Sequence, residues 1–327
     1  MIEVEKLSKF FGPVMAVYRI NFHVKKGEVV GFLGPNGAGK TTTMRILTSY
    51  LPATSGIARV AGFDVMTQSM DVRKNIGYLP ESVPLYSEMR VEEYLNYRAR
   101  LKGVERAKRQ GRIDFCLQRC RIREVRRRLL GTLSKGYRQR VGLADAMIHD
   151  PAVLILDEPT AGLDPEQQDQ TLSLIRELGK DHTILFSTHR LTEVESIAQQ
   201  VIIIYRGRIR LQRRLKDLER DAPVVVEARG PVEQVTNLLR TTDGVARVSH
   251  ETVEDGITLY EVRTSGGKDL REAIAQRLVN NGFAVRRLER RQNLQEYFMD
   301  LMRERDESPR SERHPSGIRP GEPAVTA

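Results

Sequence analysis

The sequence predicts an α/β fold built on a parallel sheet, with a helical insert and a smaller α+β unit behind it, and three observations carry that expectation. Apolar runs at 28–33, 152–156 and 182–186 are separated by helical patterns, as in a parallel sheet covered on both faces. The stretch from about 86 to 150 has helical periodicity and almost no strand signal. After Asp221-Ala222-Pro223 the order of patterns becomes strand, helix, strand, strand, helix, strand, the order of a ferredoxin-like βαββαβ sandwich. A chain of 327 residues is long enough for two units, each with its own core. The expected division is 1–220 for the first unit with its insert at 86–150, 221–303 for the second, and a disordered tail at 304–327.

The opening, MIEVEKLSKFFG, carries charges where a signal peptide needs an apolar stretch, so the chain is expected to stay inside the cell. Apolar runs such as Val201-Ile202-Ile203-Ile204-Tyr205 are strand-sized and far short of the roughly 18 residues of a membrane span. Any membrane role therefore needs a partner. The run at 28–33 leads into Gly34-Pro35-Asn36-Gly37-Ala38-Gly39-Lys40-Thr41-Thr42, which fits the phosphate-loop pattern G-x-x-x-x-G-K-[ST]. Glycines there let backbone amides wrap a phosphate with no Cβ in the way. Lys40 can reach β- and γ-phosphate oxygens, and the Thr41 hydroxyl is placed to ligate Mg2+. A helical pattern follows at 43–47, so the motif sits between a strand and a helix, as this chemistry requires.

Within the insert, residues 98–128 hold 13 Lys and Arg against three acids, an excess equal to the +10 of the whole chain. Such a cluster reads as a solvated helical face, with nucleic acid or an anionic membrane surface as the alternative. Stacking on nucleic acid uses aromatic side chains, and Phe115 is the only one in that stretch. Cys116 and Cys120 have no His or Cys companions at metal spacing and read as reduced structural thiols. Within the insert, Leu133-Ser134-Lys135-Gly136-Tyr137 is a small-residue turn before a helical pattern at 136–148. A helix start of this kind can hold an anion. Tyr137, Val141, Ala144 and Ile148 form a stripe that anchors the helix on the body. A second anion-holding helix start, so far along the chain from Lys40, needs a reason.

The run at 152–156 ends in Asp157-Glu158, and strand ends are where sheets of this class place ligands. Asp157 suits the Mg2+ shell through water, and Glu158 can polarise an attacking water as general base. After the next run, Ser187-Thr188-His189 puts an imidazole at another strand end, where it is expected to meet the γ-phosphate or the catalytic water. In the second unit the patterns predict strands at 224–229, 245–250, 257–263 and 283–288, a helix opened by Pro231 and a helix at 268–280. Leu270, Ile274 and Leu278 make an apolar stripe closed by Gly282, a C-cap signal. A last helix is expected at about 293–302. The tail from 304 holds four prolines and no aromatic, too little to build a core.

Taken together, these motifs resemble the ATP-binding subunit of an ABC transporter over residues 1 to about 218. The residues that carry the resemblance are Walker A at 34–42, the signature at 133–137, Walker B at 153–158, the D-loop Ala161-Gly162-Leu163-Asp164 and the switch histidine His189. The wording IGYLPE-x-x-PLY and LSKGYRQRVGLA, with a C-terminal extension, is similar to the ABC-2 exporter branch, which includes gliding-motility-type ATPases. The resemblance implies hydrolysis of ATP to ADP and phosphate with Mg2+, and a head-to-tail pair of subunits related by a two-fold axis. In such a pair Ser134 and Gly136 of one copy donate to the γ-phosphate held by the other, which explains the second anion site. A separate membrane permease would move the substrate outward, the ATPase would lie on the cytoplasmic face of the membrane, and no nucleic-acid partner is expected.

By the same resemblance, the nucleotide contacts are Gly34 to Thr42, Ser134, Gly136, Asp164 and Phe11. Phe11 takes the adenine-stacking place, an ordinary core phenylalanine being its alternative. The catalytic residues are Glu158 and His189, and the metal residues Thr41, Asp157 and Glu81. Two places depart from the family pattern. Lys135 and Tyr137 replace a Gly and a Gln, Lys135 either pointing to solvent or adding a cation near the phosphate. Glu81 stands where the family has Gln, keeping the metal role while adding charge beside Glu158. The competing reading, a soluble ABC ATPase acting on nucleic acid or ribosomes, would bring paired ATPase units or a long coiled coil, and the sequence has neither.

Overall fold

The computed structural model describes residues 1–220, 222–254, 256–290 and Phe298. The chain starts with strands β1 (Ile2–Phe11), β2 (Val14–Val24) and β3 (Val29–Leu33), followed by helix α1 (Lys40–Leu47). Then come β4 (Ser55–Val60), β5 (Phe63–Asp64), α2 (Ser69–Asn75) and β6 (Ile76–Leu79). The insert holds α3 (Val91–Leu101), α4 (Arg106–Arg119) and α5 (Lys135–Met147). After it run β7 (Val153–Asp157), α6 (Pro165–Leu178), β8 (Thr183–Thr188), α7 (Leu191–Ile197), β9 (Gln200–Tyr205), β10 (Arg208–Arg214) and α8 (Leu215–Arg220).

The central sheet has the order β10-β9-β3-β8-β7-β6. Its inner pairs are parallel, and β10 lies antiparallel on β9. Every residue of β3, β7 and β8 is buried, which is why these strands read as continuous apolar runs. Alternate side chains take opposite faces. Val29, Leu33, Leu154, Leu156, Ile184 and Phe186 enter the core under helices α3 to α7. Val30, Phe32, Val153, Ile155 and Leu185 enter a second core, shared with α1 and an antiparallel sheet of order β2-β1-β4-β5. This second sheet, together with β6, has no counterpart among the sequence-derived strands. The register of β1 against β2 shifts three times between Val4 and Phe10, so its side chains do not keep the strict alternation that marks a half-buried strand.

The basic insert is a solvated face in part: Arg100, Arg106, Lys108, Arg121, Arg123, Arg127 and Arg128 are exposed, and several of the basic residues are also tied to acids. Arg98 and Lys102 reach Asp145 at 2.9 and 3.1 Å, and Arg112 reaches Asp150 at 3.1 Å. Arg119 pairs with Asp181, Arg121 with Glu177, and Arg126 with both Glu92 and Asp114. These pairs stitch the insert to itself and to α6. All of these acids except Asp114 lie outside 98–128, so a charge count over that window misses them. Cys116 and Cys120 are free and buried, and burial pushes the Cys116 thiol up to about 12.

The C-terminal segment forms β11 (Val224–Arg229), α9 (Val232–Arg240), β12 (Val245–Glu254), β13 (Ile257–Thr264), α10 (Arg271–Asn280) and β14 (Ala284–Arg290). The strands make an antiparallel sheet of order β12-β13-β11-β14. Val224, Val226, Tyr260 and Val262 face Val235, Leu239, Ile274 and Leu278 of the two helices. The second helix starts at Arg271 rather than 268, because Ser265–Gly267 make a 3-10 turn in which Gly266 is left-handed at φ 67°. The helix expected at 293–302 and the tail at 304–327 lie outside the described residues apart from Phe298, which packs against the first core. Among the described residues no helix is long and apolar enough to cross a membrane.

Asp145 is the hub of the insert, accepting from Tyr94, Arg98 and Lys102. Burial alone raises its carboxyl, but Lys102 and Arg98 outweigh that and hold it below the usual range. Asp145→Ala leaves two cations without their partner and should cost about 3 kcal/mol in denaturant unfolding. A lowered folded-state value means the contribution is complete above the unfolded value, near pH 4, and is lost as pH falls through the folded one. The wild-type acid limb should therefore be steeper than that of the variant.

Candidate functional site

The C-terminal ends of β3, β7 and β8 lie side by side. The Gly34 N–H donates to the Thr188 carbonyl at 3.2 Å, tying the start of the loop to the end of β8. Gly39 is left-handed at φ 105°, and a Cβ there would sit 2.6 Å from the Ala16 carbonyl oxygen, so only glycine fits. The loop delivers Lys40 into an enclosed position, 6% exposed. Its ammonium donates to the carbonyls of Gly34 and Pro35 at 2.8 and 3.2 Å and pairs with Glu158 Oε1 at 3.1 Å.

Asp157 closes β7. Its Oδ1 accepts from Ser187 at 2.6 Å and from Thr41 at 3.3 Å, while its buried Oδ2 has no hydrogen-bond partner. Burial raises the Asp157 carboxyl above its usual value, against the hydrogen bonds of Ser187 and Thr41, with Glu81 and Glu158 adding to the rise. An orphaned carboxylate oxygen beside a threonine hydroxyl fits Mg2+, which takes few protein oxygens and completes its shell with phosphate and water. Among the described residues no three His, Cys, Asp or Glu side chains form a metal cage. Glu81 follows β6 on an exposed loop, its charge near enough to be felt at Asp157.

Glu158 is left-handed at φ 47°, a conformation that costs on the order of 1–3 kcal/mol in a non-glycine residue. Its N–H donates to Ser187 Oγ at 2.9 Å, and its carboxylate meets Lys40 on one oxygen and His189 Nδ1, at 3.0 Å, on the other. The three chemical groups expected from the sequence are thus in contact. Phe11 ends β1 with 47% of its surface exposed and the Lys9 ammonium 5.1 Å from its ring centre. It is not a core residue; Phe10 instead packs edge-on against Tyr18.

The signature stands apart from this cluster. Ser134 caps α5, and Gly136 lies so close to Gln167 that a Cβ would come 2.4 Å from Oε1. Asp164 caps α6, its Oδ1 accepting the Gln167 N–H at 2.9 Å. Lys135 is exposed, but its ammonium lies over Gly162, where a Cβ would come within 2.2 Å of it. In the stripe of α5, Val141, Ala144 and Ile148 are fully buried. Ser134, Gly136 and Asp164 line a cavity of about 230 Å3 that none of the residues 34–42, Asp157, Glu158 or His189 borders.

Residues 17–161 match the family model described as ABC transporter. The chain is 40% identical over 219 residues to the uncharacterized ABC transporter ATP-binding protein YxlF of Bacillus subtilis, covering 67% of this chain and 72% of that one. It is 40% identical over 198 residues to the ABC transporter ATP-binding protein NatA of Bacillus subtilis, covering 60% and 80%. A solved structure of an ATP-binding subunit of an ABC transporter superposes with a TM-score of 0.61 at 30% identity, covering 67% of this chain and 92% of that one.

Sequence reasoning missed the residues that hold the catalytic strand ends in place. Glu193, in the first turn of α7, is 4% exposed and accepts from Thr160 at 2.8 Å and from Thr188 at 2.6 Å. It thereby fixes both the segment after Glu158 and the residue before His189. No local pattern marks it, because Thr160 lies 33 positions away. Glu193→Ala leaves two buried hydroxyls without an acceptor. The expected result is roughly tenfold slower ATP turnover, the equivalent of about 1.4 kcal/mol, with little change in ATP affinity, read from steady-state kinetics and equilibrium binding.

Proposed function

The chain belongs to the ABC transporter family of ATP-binding proteins and is an ATPase, and we propose that it drives an ABC exporter as a head-to-tail pair beside a separate membrane permease. The observation that carries this reading is the Lys40–Glu158–His189 contact at the ends of three adjacent strands. When ATP enters the loop, its phosphates replace Glu158 as the anionic partner of Lys40. The freed carboxylate then takes the proton of a water that attacks the γ-phosphorus, and the bond to the ADP oxygen breaks. His189, on the far oxygen of Glu158, orients that carboxylate and the water. Thr41 and Asp157 would hold Mg2+, with Glu81 as a further candidate ligand, and the ion would neutralise phosphate charge. Phe11 offers its exposed ring to adenine.

The pairing of two copies is supported by the separation of the two half-sites. The cavity of Ser134, Gly136 and Asp164 contains no phosphate-loop residue, which supports a nucleotide supplied to it by another chain. In this reading a separate permease moves the substrate and the ATPase sits on the cytoplasmic face of the membrane. The second unit, 221–303, is read as an extension that stabilises the pair. Action on nucleic acid is disfavoured, since seven of the basic residues in 98–128 already pair with carboxylates.

Glu158→Gln should lower turnover by roughly 10²–10⁴ while leaving ATP binding intact and accumulating an ATP-bound dimer on size-exclusion chromatography. Turnover at the wild-type rate would remove Glu158 as the base.

A further inference from the structure

Tyr137, which replaces the usual glutamine of the signature, is not explained by the hydrolytic groups. Its hydroxyl donates to Glu124 Oε1 at 2.9 Å. Its backbone N–H faces Ser134 Oγ at 3.4 Å, and the Arg140 guanidinium stands 6.0 Å from its ring centre. Arg140 in turn is held by Gln170 of α6. Glu124 lies in the 3-10 turn Arg123–Val125, which is not free to move. Val125 is buried, and the next residue, Arg126, is fixed by Glu92 and Asp114. The Tyr137–Glu124 bond therefore joins the first turn of α5 to an anchored part of the insert. On the opposite flank Gly136 is pressed against Gln167.

Ser134 itself is exposed and its Oγ accepts from the Tyr137 N–H, so the ties of that turn to Glu124 and Gln167 bear on the direction of its hydroxyl and of the amides behind it. A displacement of about 1 Å at such a contact can cost up to 10²-fold in rate. We propose that Tyr137 and Glu124 form a brace that positions Ser134 and Gly136 for the nucleotide held by the second copy. Tyr137 lines the same cavity as Ser134 and Gly136, and its hydroxyl, spent on Glu124, makes it a positioning residue. The inference rests on the head-to-tail reading of the signature.

The test is Tyr137→Phe, which keeps the ring beside Arg140 and removes only the donor. Its kcat should fall about three- to tenfold, the range of one ordinary, partly solvated hydrogen bond. ATP affinity and the thermal midpoint of the protein should not change. Glu124→Ala should show the same loss, Glu124→Gln, which keeps an acceptor oxygen, should turn over like the wild type, and Tyr137→Phe with Glu124→Ala should be no slower than either alone. Wild-type turnover of Tyr137→Phe, or multiplication of the two losses, overturns the brace. Ser134→Arg serves as the control that separates the two ideas. If it retains full turnover the head-to-tail reading fails; if it is inactive while Tyr137→Phe is unaffected, only the brace fails.

Discussion

An ammonium group removed from water must be surrounded by oxygens, and one of them must carry charge. Lys40 meets this requirement with two loop carbonyls and the carboxylate of Glu158, and the rest of the site follows from it. The pair ties the loop after β3 to the end of β7 across the sheet. It also keeps the prospective base occupied for as long as no phosphate competes for the lysine. Because breaking a buried pair leaves the remaining charge uncompensated, only an incoming anion of comparable charge can release Glu158 without a large penalty. On the proposed reading, substrate binding and activation of the base are one electrostatic exchange.

The exchange demands precision, and the strand ends provide it. The interior of β3, β7 and β8 is apolar on both faces, so polar side chains appear only where the strands stop. Ser187 then serves both acidic residues, donating to the Asp157 carboxylate and accepting from the Glu158 backbone N–H. That amide bond, with the contacts of the Glu158 side chain, compensates a left-handed backbone at a residue followed by proline, where helical angles are already disfavoured. Glu193 does the equivalent for Thr160 and Thr188.

Much of this was legible in the sequence, for a physical reason. Strands buried on both faces are continuous apolar runs, and the loop, Asp157-Glu158 and His189 each follow such a run directly. The antiparallel sheet was not legible, because β1 pairs with β2 and β4 through shifted registers and its burial pattern loses its period. The pairing within the basic insert was not legible for a different reason: charge counted along the chain cannot see Glu92 beside Arg126 or Asp181 beside Arg119. The tie between Tyr137 and Glu124 was hidden in the same way, since neither residue is unusual in its own neighbourhood.

The helix that carries the signature is also the one packed against the strand leading to Glu81. Gly77 of β6 lies so close to α5 that a Cβ would come 2.2 Å from the Ala146 carbonyl oxygen, and at Gly142 of α5 a Cβ would meet Val83 and Leu79 at 2.6 and 2.7 Å. Just beyond the end of α5, His149 Nε2 sits 2.9 Å from the Ile76 carbonyl. Burial, with the nearby Lys102 charge, pushes this imidazole down to about 4, so it is neutral at physiological pH and donates one N–H to that carbonyl. Glycine on both surfaces removes the side-chain layer that would let two elements slide, and protein interiors packed at this density transmit displacement rather than absorb it. The strand leading to the Glu81 loop and α5 are therefore in direct backbone contact, and Ser134, the N-cap of the same helix, is joined to that contact through the helix itself.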